Sequence, residues 1–490
     1  MARVLLITPA SVFYAASPTL PLGPLAIGSY LTANGYDVKL VDRNVKIENI
    51  KTIIDTFNPN VVGISLLSYR SIRDAIRVSK IVQKMGIPVI WGGQIPSVLI
   101  EDCINTGVVD YVIIGEGEKT FRELTDAITS DGNIEEIHGI AYFSNGKIIQ
   151  TTTRELSDLS EFPITDWSLI DPTKYSKRFM NCKRLYYIYA GKGCPSRCQY
   201  CSNNQFSHFI HRSRPQEHVI KEIRFLQNNY GLDGVYFSDE YWYPNLRDMR
   251  SFCKRVIEEK LVFHWGCQTR ADTLSKEDLQ LMYEAGCRWI FFGVESGSPE
   301  ILTKMGKQLN LKKVRETFDN CREIGISATA SFIIGYLDET PDQLRKTVQL
   351  ALDLGAGNCS CCILAALPGC VFYDELLAKG IIKKREGLTN WTKYEFAEVV
   401  TDKLSKIPTT DLMVVRSIFR WRGFIGSSPR KKDFTMAKDL IFDELKYCFT
   451  QSPFNLVVGI FRGAKEFFSV FWYSHAYPKI LKKYGFTEKN

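Results

Sequence analysis

Two stretches of this 490-residue sequence alternate short apolar runs with segments of helical spacing, and few folds accept that pattern. In residues 1–129 the runs at 4–8, 38–42, 61–67, 89–91 and 111–114 are short and continuous. They read as parallel strands buried on both faces. Between them, 22–34 and 71–85 repeat apolar residues at helical intervals. Such alternation implies an α/β, doubly wound sheet, here with strand order 2-1-3-4-5. Residues 187–395 repeat it with runs at 186–190, 234–237, 262–268, 289–293, 328–334 and 358–365, which predicts a partial or full β/α barrel. Between the two, Asn145-Gly146 joins apolar runs at 140–143 and 147–151, a hairpin signal, and a Pro- and acid-bearing linker follows.

Hydrophobic residues at 45% and charged residues at 24% exclude a disordered or fibrous chain. The net charge of +8 is unevenly placed: residues 403–490 carry a balance of +9, and residues 1–402 a balance of −1. The tail interleaves basic residues with Phe419, Trp421, Phe424, Phe461, Phe467, Phe468, Phe471 and Trp472, and includes Arg430, Lys431 and Lys432. That suits a helical domain meeting a membrane surface peripherally or lidding the barrel. No nucleic-acid module is present, so none is expected as a partner. The start of the chain is not a signal peptide, and Arg462, Lys465 and Glu466 interrupt the best apolar stretch, 454–473. A cytoplasmic setting is expected, in which the 14 cysteines are thiols and clusters of them suggest metal chemistry.

Cys194, Cys198 and Cys201 stand in C-x3-C-x2-C spacing directly after the first barrel strand. Thiolates so spaced converge on an iron–sulfur cluster, and three ligands for four irons leave one iron open to a substrate or cofactor. Zinc, with His208 or His211 as fourth ligand, is the alternative. At later strand ends stand Asp239 and Glu240, Gln268 and Arg270, Glu295 and Ser296, and Gly335. The acids could accept from an ammonium group or cap helices. Arg270 could clamp a carboxylate or pair with Asp272. Glu295 could accept from ribose hydroxyls. Tyr241, Trp242 and Tyr243 wall a cavity or pack the barrel mouth. His208, His211 and His264 are placed near the active face, and His208, Tyr241 and Tyr243 are the catalytic candidates. Cys359, Cys361, Cys362 and Cys370 form a second group, either an auxiliary cluster or small interior residues.

The triplet, with Tyr200 before its third cysteine and the ordered strand-end residues, resembles the radical S-adenosylmethionine (SAM) superfamily over about 200 residues. The resemblance implies a [4Fe–4S] cluster on Cys194, Cys198 and Cys201. It implies SAM contacts from Tyr200, Asp239, Glu240, Gln268, Arg270, Glu295, Ser296 and Gly335. The first domain resembles the cobalamin-binding subgroup, which includes class B methylases and the anaerobic porphyrin cyclase. Pro21-Leu22-Gly23, Gly92-Gly93-Gln94 through Ser97, and Gly115-Glu116-Gly117-Glu118 carry that likeness. Cobalamin contacts are then expected from Pro9, Leu22, Gly23, Ser65, Leu67, Ser68, Gly92, Gly93, Gln94, Gly115, Glu116, Gly117 and Glu118. Gln94-Ile95 and Lys192 depart from the usual residues. No His precedes His138, so the lower face of cobalt would meet water or side chains from 66–70.

The fold implied is a flavodoxin-like, Rossmann-type cobalamin domain (1–135), a hairpin and linker (136–185), a SAM barrel (186–400) and a mainly α-helical domain (401–490). The chemistry implied is methylation of an unactivated carbon in a small or lipid-like molecule. A 5′-deoxyadenosyl radical, methylcobalamin and an external flavodoxin- or ferredoxin-type electron donor serve it. Ring formation or C–C coupling is the rival within the class, and a cobalamin or iron–sulfur sensor the rival outside it.

Overall fold

The computed structural model describes residues 1–11, 18–179, 181–355, 358–393, 404–425 and 478–485. They divide into two units, one of residues 1–175 with 217–222 and 382–395, the other holding the rest.

In the first unit the apolar runs become β1 (Arg3–Thr8), β2 (Asp37–Asp42), β3 (Val61–Ser65), β4 (Val89–Gly92) and β5 (Tyr111–Ile113). These pair in parallel in the expected order, β2-β1-β3-β4-β5. Val4, Leu5, Ile7, Val61 and Val62 are fully enclosed, because helices cover both faces. The structure differs from the sequence reading at the hairpin. β6 (Ile140–Ser144) and β7 (Lys147–Gln150) do not form a free connector but continue the sheet, β6 antiparallel to β5 with Tyr111 opposite Tyr142. The pairing satisfies the edge of β5, which would otherwise present unpaired backbone groups. The unit then runs on through Tyr175, whose hydroxyl donates to Asp42 at 3.0 Å.

Beyond β1 and β2 the loops are tied by a buried ion pair. Arg43 forks onto Asp74 at 2.7 and 3.1 Å, and the same carboxylate accepts from the Ala10 N–H at 2.7 Å. The two side chains are 5% and 9% exposed, so either charge left alone would be stranded.

In the second unit, β8 (Lys177–Phe179) lies antiparallel to β9 (Cys182–Ile188). β9 is followed across the sheet by β12 (Gly234–Phe237), β13 (His264–Thr269), β14 (Cys287–Glu295), β15 (Ser327–Ile334) and β16 (Asn358–Ile363), all parallel. A separate two-stranded ribbon joins β10 (Gly191–Lys192) to β11 (Arg212–Ser213). Among the described residues the sheet is open, a partial barrel. The helix Thr409–Ile425 covers β16, with Phe419 packed on Phe332 at 5.6 Å. The rest of the tail's aromatic and basic pattern, from Phe424 to Trp472, and the side chain of Trp421 lie outside the described residues. No described helix is long and apolar enough to cross a membrane.

Asp74→Ala leaves Arg43 buried and unpaired and should cost the first unit about 3–5 kcal/mol. A lowered denaturation midpoint, with faster amide exchange in β1 and β2, is the expected reading.

Candidate active site

The three thiols sit on a loop with little core of its own, so its backbone has to be held from outside. At its start the Ala190 N–H donates to Asp239 at 3.0 Å and the Gly193 N–H donates to Glu240 at 3.1 Å. Burial pushes the Asp239 carboxyl up to about 7. These acids, expected at SAM, therefore also brace the chain leading into the thiol loop. Gly193 stands at φ 90°, and a Cβ there would lie 2.2 Å from the Ile210 carbonyl, so only glycine passes this point. Farther on, the Gln199 N–H donates to Met305 O at 2.9 Å, and Gln199 O accepts from the Phe372 N–H at 3.0 Å.

Charge gathers beside the loop. Lys307 donates to Glu295 at 3.1 Å, and the two side chains are 10% and 9% exposed. A Cβ on Gly293 would lie 2.5 Å from the Glu295 carboxylate and 2.9 Å from the Lys307 ammonium, so the pair rests directly on the strand. The ammonium acts on Cys198 and Cys201 and opposes burial, which still pushes the Cys201 thiol up to about 12. The Tyr200 hydroxyl bonds Cys198, and burial beside Glu295 and the thiols raises it strongly. Cys194, Cys198 and Cys201 lie within electrostatic reach of one another. Three neighbouring thiols with a phenol, a carboxylate and an ammonium are a donor set that fits a cluster and a charged nucleoside ligand. Among the described residues no three His, Cys, Asp or Glu side chains close on the position of a single metal ion.

Lys307 was not singled out from the sequence. Its only signal is a basic residue directly after Met305-Gly306, where a helix stops. Arg270 is committed elsewhere. It forks onto Asp272 at 3.0 and 2.9 Å and donates to the carbonyls of Lys307 and Gln308 at 3.1 Å each. The carboxylate it clamps is the chain's own, and through the two carbonyls it fixes the backbone at Lys307.

The other expected residues separate. The Gln268 side chain bonds Tyr236. Ser296 meets the Thr347 hydroxyl at 3.1 Å, tying β14 to the helix Pro341–Asp353. The Gly335 N–H donates to Glu339 at 2.5 Å. Tyr241 lies near Arg270, Asp272 and Cys194, with its hydroxyl 3.5 Å from Thr273. Tyr243, a catalytic candidate in the sequence, is instead buried against Trp242 and Phe252 under the helix Leu246–Glu258, because apolar packing claims its ring. His208 is exposed at the end of the short helix Asn204–Ser207. His211 is tucked in by the Gly191 backbone, and burial lowers it to about 4. His264 opens β13 and so stands at the amino end of the strand, away from the expected active face. In the second cysteine group, register and alternation put Cys361 on the face of Phe332, toward the helix Thr409–Ile425, and Cys362 on the opposite face. Cys361 and Cys362 therefore face apart, while Cys359 shares the face of Cys361.

In the first unit the glycine loops knit together at the carboxyl edge. Leu66 donates to Gly92 O at 2.9 Å and accepts from the Ile95 N–H at 3.2 Å. Gly93, at φ 98°, leaves only 2.9 Å between a Cβ and the Leu66 carbonyl. The Ser97 hydroxyl bridges Gly93 O at 2.9 Å and the Gly115 N–H at 3.0 Å. Space above Gly23 and Gly115 is open. Leu67 is 69% exposed beside the fully buried Leu66, an apolar side chain standing up from a backbone-lined edge. Pro9 accepts from Asn44, Ser68 caps the turn Tyr69–Ser71, and Glu118 opens the helix Glu118–Ser130. Ser65, Leu22, Gln94, Glu116 and Gly117 are half-buried around this edge. Backbone groups, the Ser97 hydroxyl and one apolar finger, with Glu116 and Glu118 beside them, make a cradle that fits the corrin of cobalamin.

The Radical SAM superfamily model matches residues 188–351, and the B12 binding domain model matches residues 11–125. The chain is a B12-binding member of the radical SAM superfamily. The cofactors of that pairing are a [4Fe–4S] cluster, SAM and cobalamin. An uncharacterised methyltransferase of Pyrococcus horikoshii is 28% identical over 430 residues, covering 83% of this chain and 91% of that one. The anaerobic magnesium-protoporphyrin IX monomethyl ester cyclase of Rubrivivax gelatinosus is 26% identical over 368 residues, covering 71% and 65%. The solved structure of the radical SAM methyltransferase TsrM from Kitasatospora setae, with cobalamin and a [4Fe–4S] cluster bound, shares the fold at TM-score 0.70 and 19% identity, covering 77% and 78%.

Two outcomes follow from this geometry. Gly193→Ala should leave the protein folded but cut iron and sulfide per chain after reconstitution severalfold, because a left-handed alanine costs about 1–2 kcal/mol even before the clash. Glu339 is fully buried, and burial pushes its carboxyl up to about 7. A raised acid binds its proton more tightly folded than unfolded, so stability is full below about pH 4.5 and falls as pH rises to about 7, on the order of 3 kcal/mol in all. Glu339→Gln should flatten that part of the stability–pH curve in denaturant titrations.

Proposed function

We propose that this chain is a cobalamin-dependent radical SAM methyltransferase acting on an unactivated carbon of a small-molecule substrate. The observation that carries the reading is the thiol loop gathered with Tyr200, Glu295 and Lys307 in a chain that also bears the cobalamin cradle. An sp3 carbon offers no lone pair for polar attack, so cofactors carry the chemistry while the protein orients and shields them. When bound, the cluster and SAM supply a 5′-deoxyadenosyl radical, and cobalamin supplies the methyl group. Cys194, Cys198 and Cys201 would hold the cluster. Tyr200, Glu295 and Lys307 would face SAM, with Gln268, Ser296 and Gly335 shaping its surroundings. The loops at 65–68, 92–97 and 115–118 would hold cobalamin through backbone groups and Leu67. The buried Glu295–Lys307 pair is balanced within itself, which limits the cost of keeping both charges in a site that excludes water.

The methyltransferase names among the relatives support this chemistry, and the cyclase relative favours ring closure as the second reading. A flavodoxin- or ferredoxin-type donor would supply the electron, and the basic tail is proposed to contact a membrane or an amphipathic substrate.

After anaerobic reconstitution with iron, sulfide and hydroxocobalamin, SAM and dithionite should give both 5′-deoxyadenosine and S-adenosylhomocysteine. Cys198→Ala should give no 5′-deoxyadenosine. Product formation in wild type that Cys198→Ala matches would overturn the enzyme reading, and 5′-deoxyadenosine without S-adenosylhomocysteine would replace methylation by cyclisation.

A further inference from the structure

The chain returns to its first unit after the last strand of the second. Residues 382–395 belong to that first unit, and the turn Leu388–Lys393 packs on the turn Tyr69–Ser71 and the helix Ile72–Gln83. Trp391, 1% exposed, stacks on Tyr69 with ring centroids 5.7 Å apart and planes 23° apart. The Arg385 guanidinium lies 5.6 Å from the centre of the same indole.

The segment also grips a second loop. The Gly387 N–H donates to Asp102 at 3.1 Å, the Trp391 indole lies beside the same carboxylate, and Lys384 pairs with Glu101 at 3.3 Å. Glu101 and Asp102 lie on the helix Ile100–Ile104, directly after the helix Gln94–Val98 that begins at Gly93. Tyr69 follows the exposed Leu67 and Ser68 at the end of β3. This one segment therefore links the loop after β3, through Trp391 on Tyr69, to the chain after β4, through Gly387 on Asp102. Leu66 already joins these loops at their start through Gly92 and Ile95, and Trp391 adds a second tie farther along each.

We propose that Trp391 is a positioning residue for cobalamin, holding the Leu67–Tyr69 backbone through its stack on Tyr69 while the segment that carries it is anchored on Asp102 by Gly387. The proposal rests on the reading of the first unit as the cobalamin site. Its physical basis is preorganisation: a loop fixed before binding does not have to be ordered by the ligand, and affinity gains what ordering would have cost. The loop after β3 is also the one expected beneath cobalt, so its fixation governs what the lower face of the metal meets.

The test is a titration of the full-length protein with hydroxocobalamin, followed by the cobalamin absorption bands. Wild type, Trp391→Phe, Trp391→Ala and Tyr69→Leu are compared, with the melting temperature of each apoprotein and its iron content after cluster reconstitution. Trp391→Ala and Tyr69→Leu should each weaken binding about tenfold and shift the bands, and the double variant should be no weaker than either alone. Trp391→Phe, which keeps a stacking ring, should bind within about twofold of wild type. Iron content should not change in any variant. Wild-type affinity and bands in both Trp391→Ala and Tyr69→Leu would overturn the proposal. A fall in affinity matched by Trp391→Phe, or accompanied by loss of iron, would do so too, since it would mark general damage. Failure of the wild type to bind hydroxocobalamin would sink the cobalamin reading itself, an outcome distinct from these.

Discussion

The backbone of residues 190–201 must hold three thiols in place while contributing almost no side-chain packing of its own, and everything around it answers that need. Asp239 and Glu240 grip its start, Gly193 lets it turn under the Ile210 carbonyl, and Met305 and Phe372 hold its far end. The anchors come from the end of β12, from the close of the helix Pro299–Lys304 that follows β14, and from the helix Val371–Ala378 after β16. A parallel sheet places all its strand ends on one edge, so residues far apart in sequence can reach a single loop. The same geometry explains why acids at the end of β12 reach the thiol loop. Their oxygens point at the loop, and a ligand beside it would share them.

The strands were legible because a buried parallel strand must be short and continuously apolar, and the chain has many such runs. Even the sheet order of the first unit followed, since right-handed crossovers leave few alternatives. The fate of the hairpin was not legible. Asn145-Gly146 specifies a turn, but no local pattern says whether the pair stands free or extends a sheet. That outcome depends on the open edge of β5, a fact of assembly. The return of residues 382–395 was hidden for the same reason: Trp391 is one tryptophan in an irregular segment, and its partners Tyr69 and Asp102 lie some 300 positions earlier.

Site residues were legible to the extent that spacing encodes them. The thiols are seven positions apart end to end, and spacing alone groups them. Lys307 was missed because its partner Glu295 is twelve residues away, across a turn and a helix, and no periodic signal joins them. Arg270 shows the converse. The residue type suited ligand binding, yet Asp272 two positions on satisfies its fork, and a local partner costs less chain entropy than a distant one. Tyr243 was drawn into the core by the same competition, since a ring flanked by Trp242 and Phe252 gains more from burial than from facing a cavity.

Charge gives the last constraint. Residues 1–402 are near neutral, and several of their buried or half-buried ions are matched in pairs: Arg43 with Asp74, Arg270 with Asp272, Lys307 with Glu295. Unpaired buried charge is costly, and two buried acids outside such pairs, Asp239 and Glu339, have their carboxyls pushed up to about 7. Cobalamin is large and mostly uncharged at its ring, and a cradle made chiefly of N–H groups, hydroxyls and one leucine matches it. SAM carries both an ammonium and a carboxylate, and the Glu295–Lys307 pair offers one partner of each sign. SAM also carries a sulfonium, so it would bring one positive charge that this neutral pair does not match, and a site for it needs acid beyond the pair.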